Sequence, residues 1–246
     1  SEADVSPSAN GTMANRLHVE LLRLIAERGL KPGDKLPTEV ELAAHFSVGR
    51  STTREALKHL EEQGLVHAVR GQGRFLSAVG SLRIERPVTR YESTTEMLES
   101  LGYRVTSAVL QVEESVASPR EAVALDVAEG IPVIRLTRMR YGDDKPMVFS
   151  ICTVPRGVLP GPIEHRDWST PLNAALEAHG QRIASSAARI TAVNLPEDLQ
   201  ARFKLAGLGP WLLAEETCIS EAGLRVLYAE DYHRGSEIGF NVLRRR

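Results

Sequence analysis

The chain of 246 residues has only two cysteines, few aromatic residues (5%) and no long apolar run. Cys152 and Cys218 form no Cys-x-x-Cys pair, so we expect neither a disulfide framework nor a zinc site. No apolar stretch approaches the roughly 18 residues of a membrane span, and no signal peptide opens the sequence. These absences predict a cytoplasmic protein with no metal, no cofactor and no membrane partner.

The chain also lacks a strong charge of either sign, since its formal net charge is -2. Nucleic-acid binding would therefore have to come from a local basic patch and not from a global positive field. The hydrophobic fraction of 42% is enough to bury the core of one large domain or two small ones. Residues 1–12 are small and polar, which predicts disorder.

Residues 13–78 show three short helical patterns followed by two extended runs. Thr38 and Glu41 have the spacing of a capping box at the start of the second helix. The sequence Gly-Gln-Gly separates the two extended runs and predicts a hairpin. This order of elements is the winged helix-turn-helix plan. The helices are predicted over 15–28, 38–46 and 51–63, and the extended runs over 65–69 and 74–76.

The start of the third helix and the hairpin tip are the candidate DNA-binding segments. A helix start exposes unpaired N–H groups and the positive end of the helix dipole, which favour phosphate. Glycines at the hairpin tip allow close approach of its backbone, with arginines beside them for phosphate or the minor groove. A charge cluster alone is more typical of a solvated surface helix, and it is the order of elements that favours DNA binding. The candidates are Arg50, Ser51, Thr52, Thr53, Arg54, Arg70, Gly71, Gly73 and Arg74.

Residues 79–90 have no clear period and predict a linker, and residues 91–246 predict a second domain. That domain contains an internal repeat of strand, proline-led helix, glycine/proline turn and hairpin. Pro119 matches Pro196 at the two helix starts, and Pro132 matches Pro210 at the two hairpins. The fold class is therefore α+β, with the two copies forming one antiparallel sheet that has helices on one side.

Three groups of residues in the second domain are candidate ligand-binding residues. Arg138 and Arg140 lie two apart on a strand, so both point to one face and suit a carboxylate or phosphate. The residues Ser93, Thr94 and Thr95 open a helix and offer a second anion site. Tyr228, Glu230 and Tyr232 alternate along one strand face and could reach sugar-like hydroxyls. The alternative is that the strand residues among them are solvent-facing positions with cross-strand ion pairs.

The segment PGDKLPTEVELAAHFSVGRSTTREALKHLEEQGLVHAVRGQGRFLS resembles the GntR family of bacterial transcription regulators. The resemblance implies a winged helix-turn-helix that contacts operator DNA through the positions of residues 50–54 and Gly71. Val40 stands where the family usually has Arg, and Gly49 where it has Ser or Thr. We expect these departures to alter the operator preference.

The second domain resembles the effector-binding domain of the HutC subfamily, the UTRA type, which has a chorismate-lyase-like fold. Supporting segments are STTEMLESLG, RLTRMRYGDDKPMVFS and YAEDYHRG. The resemblance implies that an acidic ligand binds where the arginine pair meets residues 93–95. The common acidic residue of the subfamily near the last hairpin aligns with Leu227, which argues against a standard amino-sugar phosphate.

The leading hypothesis is a homodimeric, ligand-responsive repressor that leaves its operator DNA when a small phosphorylated or carboxylated metabolite binds. An enzyme of the chorismate-lyase-like type is the first alternative. The sequence has no Ser-His-Asp grouping, metal-ligand spacing or paired catalytic carboxylates, so we expect no enzymatic activity. A constitutive DNA-binding protein whose second domain only dimerises is the other alternative.

Overall fold

The structure is a computed structural model that describes residues 7–78 and 92–242. The chain divides into two compact units, residues 1–90 with 240–246 and residues 91–239, and each is described by itself. From the sequence we had expected residues 240–246 to belong to the second domain. The expected linker, 79–90, lies outside the described residues.

The first unit has the winged helix-turn-helix order expected from the sequence. The helix α1 begins at Pro7 and not at Asn15, so the prediction of disorder was wrong from Pro7 onward, and residues 1–6 lie outside the described part. Proline is well tolerated at a first helical position because its missing N–H has no partner there. The elements are α1 (Pro7–Glu27), α2 (Glu39–Phe46), α3 (Arg50–Glu62), β1 (Val66–Val69) and β2 (Gly73–Leu76).

Leucines at three- and four-residue spacing build the core of this unit. Leu21 from α1 and Leu57 and Leu60 from α3 are almost completely buried in one cluster. The α2–α3 turn is tight, because Ser47 ends α2 in the left-handed conformation and Gly49 already caps α3. The packing holds the start of α3 at the surface.

The described residues of the second unit form four short α-helices, one 3-10 turn (Ile163–His165) and six long strands. The α-helices and strands are α4 (Thr94–Ser100), β3 (Val105–Val116), α5 (Pro119–Leu125), β4 (Pro132–Gly142), β5 (Lys145–Pro155), α6 (Leu172–Ala178), β6 (Ile183–Val193), α7 (Glu197–Phe203), β7 (Trp211–Ser220) and β8 (Arg225–Arg234). The strands form one antiparallel sheet of order β3-β4-β5-β8-β7-β6. The internal repeat is visible in this order, because each copy supplies three adjacent strands and the copies meet at β5 and β8.

The expectation that the helices lie on one side of the sheet was wrong. Leu172 and Leu176 of α6 pack in the cluster of Ile134 and Leu136, on one face of β4. Phe203 of α7 packs in the cluster of Met139 and Phe149, on the opposite face. Strands β4, β5, β7 and β8 are buried on both faces, so apolar and polar residues do not alternate cleanly along them. The sequence pattern therefore did not indicate that helices cover the second face.

Candidate functional site

In the first unit, the start of α3 carries exposed cationic side chains. Gly49 is its N-cap, with extended backbone and no side-chain cap, so the first-turn N–H groups receive no side-chain oxygen from that position. Arg50, Ser51 and Arg54 are exposed. This end of the helix has the positive dipole, the N–H groups and the arginines that a phosphate or a base edge requires.

Two of the expected DNA-binding residues do not lie on this surface. Thr53 is fully buried, and its hydroxyl donates to the carbonyl of Gly49 at 3.1 Å. Thr52 is 7% exposed. The sequence could not separate these threonines from Ser51, because the turn places 52 and 53 against the core. We therefore correct the expectation for both threonines: their side chains are buried at the helix start and do not lie on its exposed surface.

The hairpin tip needs glycine at both expected positions. Gly71 has a φ of 76° and Gly73 a φ of 116°, conformations that L side chains rarely adopt. A Cβ on Gly73 would also lie 2.9 Å from Cε of Lys35. Arg70 is exposed at this tip. Arg74 is instead drawn back toward α3, where its Nε donates to Glu61.

In the second unit, Arg138 and Arg140 lie on one sheet face, as their spacing predicts, and both are buried (2% and 4% exposed). Nη1 of Arg138 donates to the carbonyls of Trp168 and Thr170, at 3.3 and 2.8 Å. Its Nε is buried and has no hydrogen-bonding partner among the described residues. Nε of Arg140 donates to Oγ1 of Thr95 at 2.9 Å.

The arginine pair lines a cavity of about 50 Å³. Such a space admits a few water-sized groups and suits one small polar group of a ligand. Asp231 is the buried carboxylate of this cavity, and it accepts a hydrogen bond from Ser150 at 2.6 Å. The other lining residues are Glu92, Ser93, Thr94, Cys152, Pro171, Leu172, Asn173, Glu216, Cys218, Leu227 and Ala229.

Burial changes the pKa values of two residues that line this cavity. Burial, reinforced by the charge of the neighbouring Arg138, lowers the pKa of Arg140 to about 10. Burial, together with the charge of Asp231, raises the pKa of Cys152 to about 11. At neutral pH Arg140 is therefore charged, and the thiol of Cys152 in the same cavity is neutral. An anion entering it would relieve the mutual repulsion of the arginines.

The start of α4 lies at this cavity. Ser93 is the N-cap, and its hydroxyl accepts from N–H of Glu96 at 3.2 Å while the Glu96 carboxylate accepts from N–H of Ser93 at 2.8 Å. Ser93 and Thr94 line the cavity, and Thr95 holds Arg140. The structure thus brings residues 93–95 together with the arginine pair.

Tyr228, Glu230 and Tyr232 are not brought to this cavity. On β5, Ser150 and Cys152 pair with Asp231 and Ala229, which face the cavity. The tyrosines and Glu230 therefore point to the other face of the sheet.

On that other face the three residues have structural contacts. Tyr232 packs with Phe149 and Trp211 in the core. The hydroxyl of Tyr228 donates to Glu215 at 3.3 Å. Burial raises the pKa of Glu230.

Sequence reasoning missed the cavity residues of β8, because it assigned the wrong one of the two strand faces to the ligand. Leu227, Ala229 and Asp231 are the cavity residues there. A signal was present: position 227 aligns with the acidic residue of the HutC-type domain, and every second residue after it shares its face. On β5, Cys152 lines the cavity and Ser150 donates to Asp231. No sequence signal marked these two residues, because a serine and a cysteine in an apolar strand also fit a packed core.

Other kinds of site have no support in the described part of the chain. Residues 7–78 and 92–242 contain no group of three or more His, Cys, Asp or Glu side chains placed to hold a metal ion. No described helix is both long enough and apolar enough to cross a membrane.

Comparison with known proteins agrees with a chain that has a winged helix-turn-helix unit and an α+β unit. Residues 13–76 match the gntR family of bacterial regulatory proteins, and residues 100–238 match the UTRA domain. The chain therefore belongs to the GntR family, in the group that carries a UTRA domain.

Individual relatives match over part of their length. YurK of Bacillus subtilis (strain 168), an uncharacterized HTH-type transcriptional regulator, is 31% identical over 156 residues, 62% of this chain and 63% of YurK. The histidine utilization repressor of Klebsiella aerogenes is 27% identical over 139 residues, 56% of each chain. Both matches span less than two thirds of the curated relative. The crystal structure of YydK, a possible transcriptional regulator from Bacillus subtilis, shares the fold, with a TM-score of 0.65 at 21% identity over 95% of this chain and 99% of YydK.

Proposed function

We propose that this protein is a ligand-responsive, sequence-specific DNA-binding transcription regulator. It acts as a homodimeric repressor that a small acidic metabolite, phosphorylated or carboxylated, releases from operator DNA. Family membership supports the regulator, and the two sites support its two ligands.

The DNA side rests on the exposed start of α3 and on the wing formed by β1 and β2. Arg50, Ser51 and Arg54 enter the major groove, and Arg70 with the glycine tip follows the backbone or the minor groove. In a homodimer, two such units contact half-sites about one DNA turn apart on a near-palindromic operator.

The effector side rests on one observation, the buried pair Arg138 and Arg140 at a cavity. Burying two cations beside a single buried carboxylate, Asp231, is costly unless an anion completes the site. Planar guanidinium groups bind carboxylate and phosphate oxygens in pairs, so the ligand carries one of these groups. Glu92 and Glu216, which also line the cavity, supply acceptors for hydroxyl or amino groups on the rest of the ligand.

The two sites are coupled through a change of conformation. The effector binds preferentially to a state in which the two winged units no longer match the spacing of the half-sites. DNA affinity then falls by the difference in effector binding between the two states.

A selection from random duplex DNA, followed by gel shifts at low salt, tests the DNA side. We expect one enriched, near-palindromic sequence that binds at least about a thousandfold more tightly than its scrambled control. Failure of the wild-type chain to enrich any sequence would contradict the proposal.

Thermal unfolding with inorganic phosphate, sugar phosphates and dicarboxylates tests the effector side. We expect at least one of these anions to raise the melting temperature and to release the selected DNA. Arg138→Ala should lose the ligand-induced shift while still binding that DNA. No shift with any anion would favour the constitutive DNA-binding alternative.

The enzyme alternative has weaker support. Of the two cysteines that line the cavity, Cys152 has a raised pKa and is a neutral thiol at neutral pH. Asp231 is committed to a hydrogen bond from Ser150. Turnover of chorismate that Arg138→Ala abolishes would revive this alternative.

A further inference from the structure

A single carboxylate on α2, that of Glu39, contacts an arginine of α3 and an arginine of the wing. Nε of Arg54 lies 3.2 Å from Oε1 and 3.4 Å from Oε2 of Glu39, and Nη2 lies 3.3 Å from Oε2. Nη1 of Arg74 lies 3.6 Å from Oε1. One acidic side chain thus joins three elements: α2, α3 and β2.

The position of Glu39 is itself fixed by the local sequence. It is the first residue of α2, directly after the N-cap Thr38. The backbone N–H of Thr38 donates to Glu41 at 2.7 Å, and the N–H of Glu41 donates to the hydroxyl of Thr38 at 3.2 Å. This capping box sets the start of α2, so the carboxylate of Glu39 is presented from a rigid turn.

The arrangement is electrostatic and lies at the surface. The hydrogen bond from Arg54, with further help from its charge and that of Arg74, lowers the pKa of Glu39, so the carboxylate is ionised at neutral pH. The side chain of Arg54 is 66% exposed and that of Glu39 is 22% exposed. An exposed ion pair of this kind adds little to stability, so its main effect is on the position and charge of the arginine.

Arg54 and Arg74 therefore differ from Arg50 and Arg70, the other two arginines of α3 and the wing. Within the described part of the chain, no acidic side chain forms a salt bridge with Arg50 or Arg70. Those two are free to follow any phosphate. Arg54 and Arg74 also contact the carboxylate of Glu39, so they can bind a DNA phosphate only in side-chain orientations that keep this contact.

We propose that Glu39 is a positioning residue that increases discrimination between DNA sequences at the cost of non-specific affinity. Its carboxylate fixes the direction of Arg54 and ties the wing arginine to the same point. Its negative charge also repels phosphates that are out of register. Because sequence is read by side chains held in a fixed geometry, loss of this carboxylate should relax the choice of sequence.

The test compares full-length wild type with Glu39→Gln, which keeps the shape of the side chain and removes its charge. Dissociation constants are measured for the duplex that wild type selects and for a scrambled duplex, at several salt concentrations. We expect the ratio of the two constants to fall about tenfold, with tighter binding of the scrambled duplex. The salt dependence of that non-specific binding should steepen by about one phosphate contact.

Glu61→Gln is the matched control, because Glu61 pairs with Arg74, whereas Arg54 pairs with Glu39. We expect the ratio to change less than about threefold in this variant, since Arg54 keeps its partner. A melting temperature equal to that of wild type confirms that each variant is folded.

Arg54→Lys provides an independent check, since it keeps the charge but cannot make the same paired contact. The double variant, Glu39→Gln with Arg54→Lys, should lose no more discrimination than the single variant with the larger loss. Both substitutions remove the same interaction, the contact between Glu39 and Arg54. Additive losses, or an unchanged ratio in Glu39→Gln, would contradict the role of Glu39. A wild type that selects no sequence would contradict the regulator itself, so the two failures are distinguishable.

Discussion

The two units use arginine in opposite ways. At the start of α3, Arg50 and Arg54 are exposed, and the ion pair of Arg54 lies at the surface. In the sheet unit, Arg138 and Arg140 are almost fully buried and are held by carbonyls and a threonine hydroxyl.

Under the proposed function, this difference follows from the size of the partner that each unit binds. A DNA backbone is a long array of phosphates, and exposed arginines bind it by displacing counterions at little desolvation cost. A small anion offers few contacts, so tight binding requires buried arginines held in advance, where the low dielectric strengthens each contact. Under the proposed function, the same residue type should therefore produce salt-sensitive DNA binding in the first unit and ligand-selective binding in the sheet unit.

The largest expected effect is on the stability of the sheet unit. Burial opposes ionisation of Glu121, but hydrogen bonds from Arg135, Thr153 and Ser118 outweigh it and lower its pKa to about 2. Glu121→Gln should lower the free energy of unfolding by about 3 kcal/mol, because Arg135 loses a buried partner. Urea unfolding of the full chain measures this change.

The same carboxylate gives a pH dependence. Its folded pKa lies below the usual 4.5, so its contribution is complete above pH 4.5 and is lost as the pH falls toward 2. Glu121→Gln should remove this component of the acid sensitivity. The exposed pair Lys58–Glu62 on α3 is the contrast, and Lys58→Ala should cost less than about 1 kcal/mol. Equal effects at the two positions would contradict the distinction between the units.

The next effect is on DNA binding. Arg50→Ala should weaken binding of the selected duplex about 10- to 100-fold and leave the melting temperature unchanged, because its side chain is exposed. Arg104→Ala in the sheet unit also removes an exposed arginine, which pairs with Asp144 at 2.9 Å. This control should bind DNA as wild type does. A similar loss in both variants would indicate a general charge effect.

A smaller gain is expected at Val40, which is 54% exposed at the start of α2 where the family usually has arginine. Val40→Arg should tighten non-specific DNA binding several-fold and steepen its salt dependence by about one contact. Val40→Ala separates the added charge from the lost apolar surface. Gel shifts over a range of salt concentrations measure the affinity and its salt dependence. Equal values for Val40→Arg and Val40→Ala would contradict this expectation.

The smallest expected effect is at Gly49, the N-cap of α3. A Cβ there would meet only Oγ of Ser51, at 3.8 Å, and its backbone is extended, so serine fits without strain. Gly49→Ser should add a few tenths of a kcal/mol through a side-chain cap and raise the melting temperature by about 1–2 °C. Gly49→Ala, which cannot cap, should instead lower it.

The sequence predicted the elements well where local rules decide them. The capping box of Thr38 and Glu41, the glycines of the wing and the repeated strand–helix–hairpin order are all present in the structure. Local geometry also placed Arg138 and Arg140 on one face, because strand residues two apart always share a face. Residues 93–95 were expected beside them from the family resemblance, and the fold brings them there.

The errors arose where packing decides. Thr53 and Ser51 look alike in a sequence, but the depth of the α2–α3 turn buries one and exposes the other. Tyr228 and Asp231 belong to one strand, and only its pairing with β5 shows which of them faces the cavity.

The sequence by itself determined the kinds of element, their order and the chemistry of their charged ends, since these depend on neighbours within a few positions along the chain. Only the tertiary structure decided which face of β8 meets the arginine pair and that helices cover both faces of the sheet. It also decided that Glu39 meets Arg54 and Arg74. These depend on contacts between residues distant in the chain, which no local periodicity encodes.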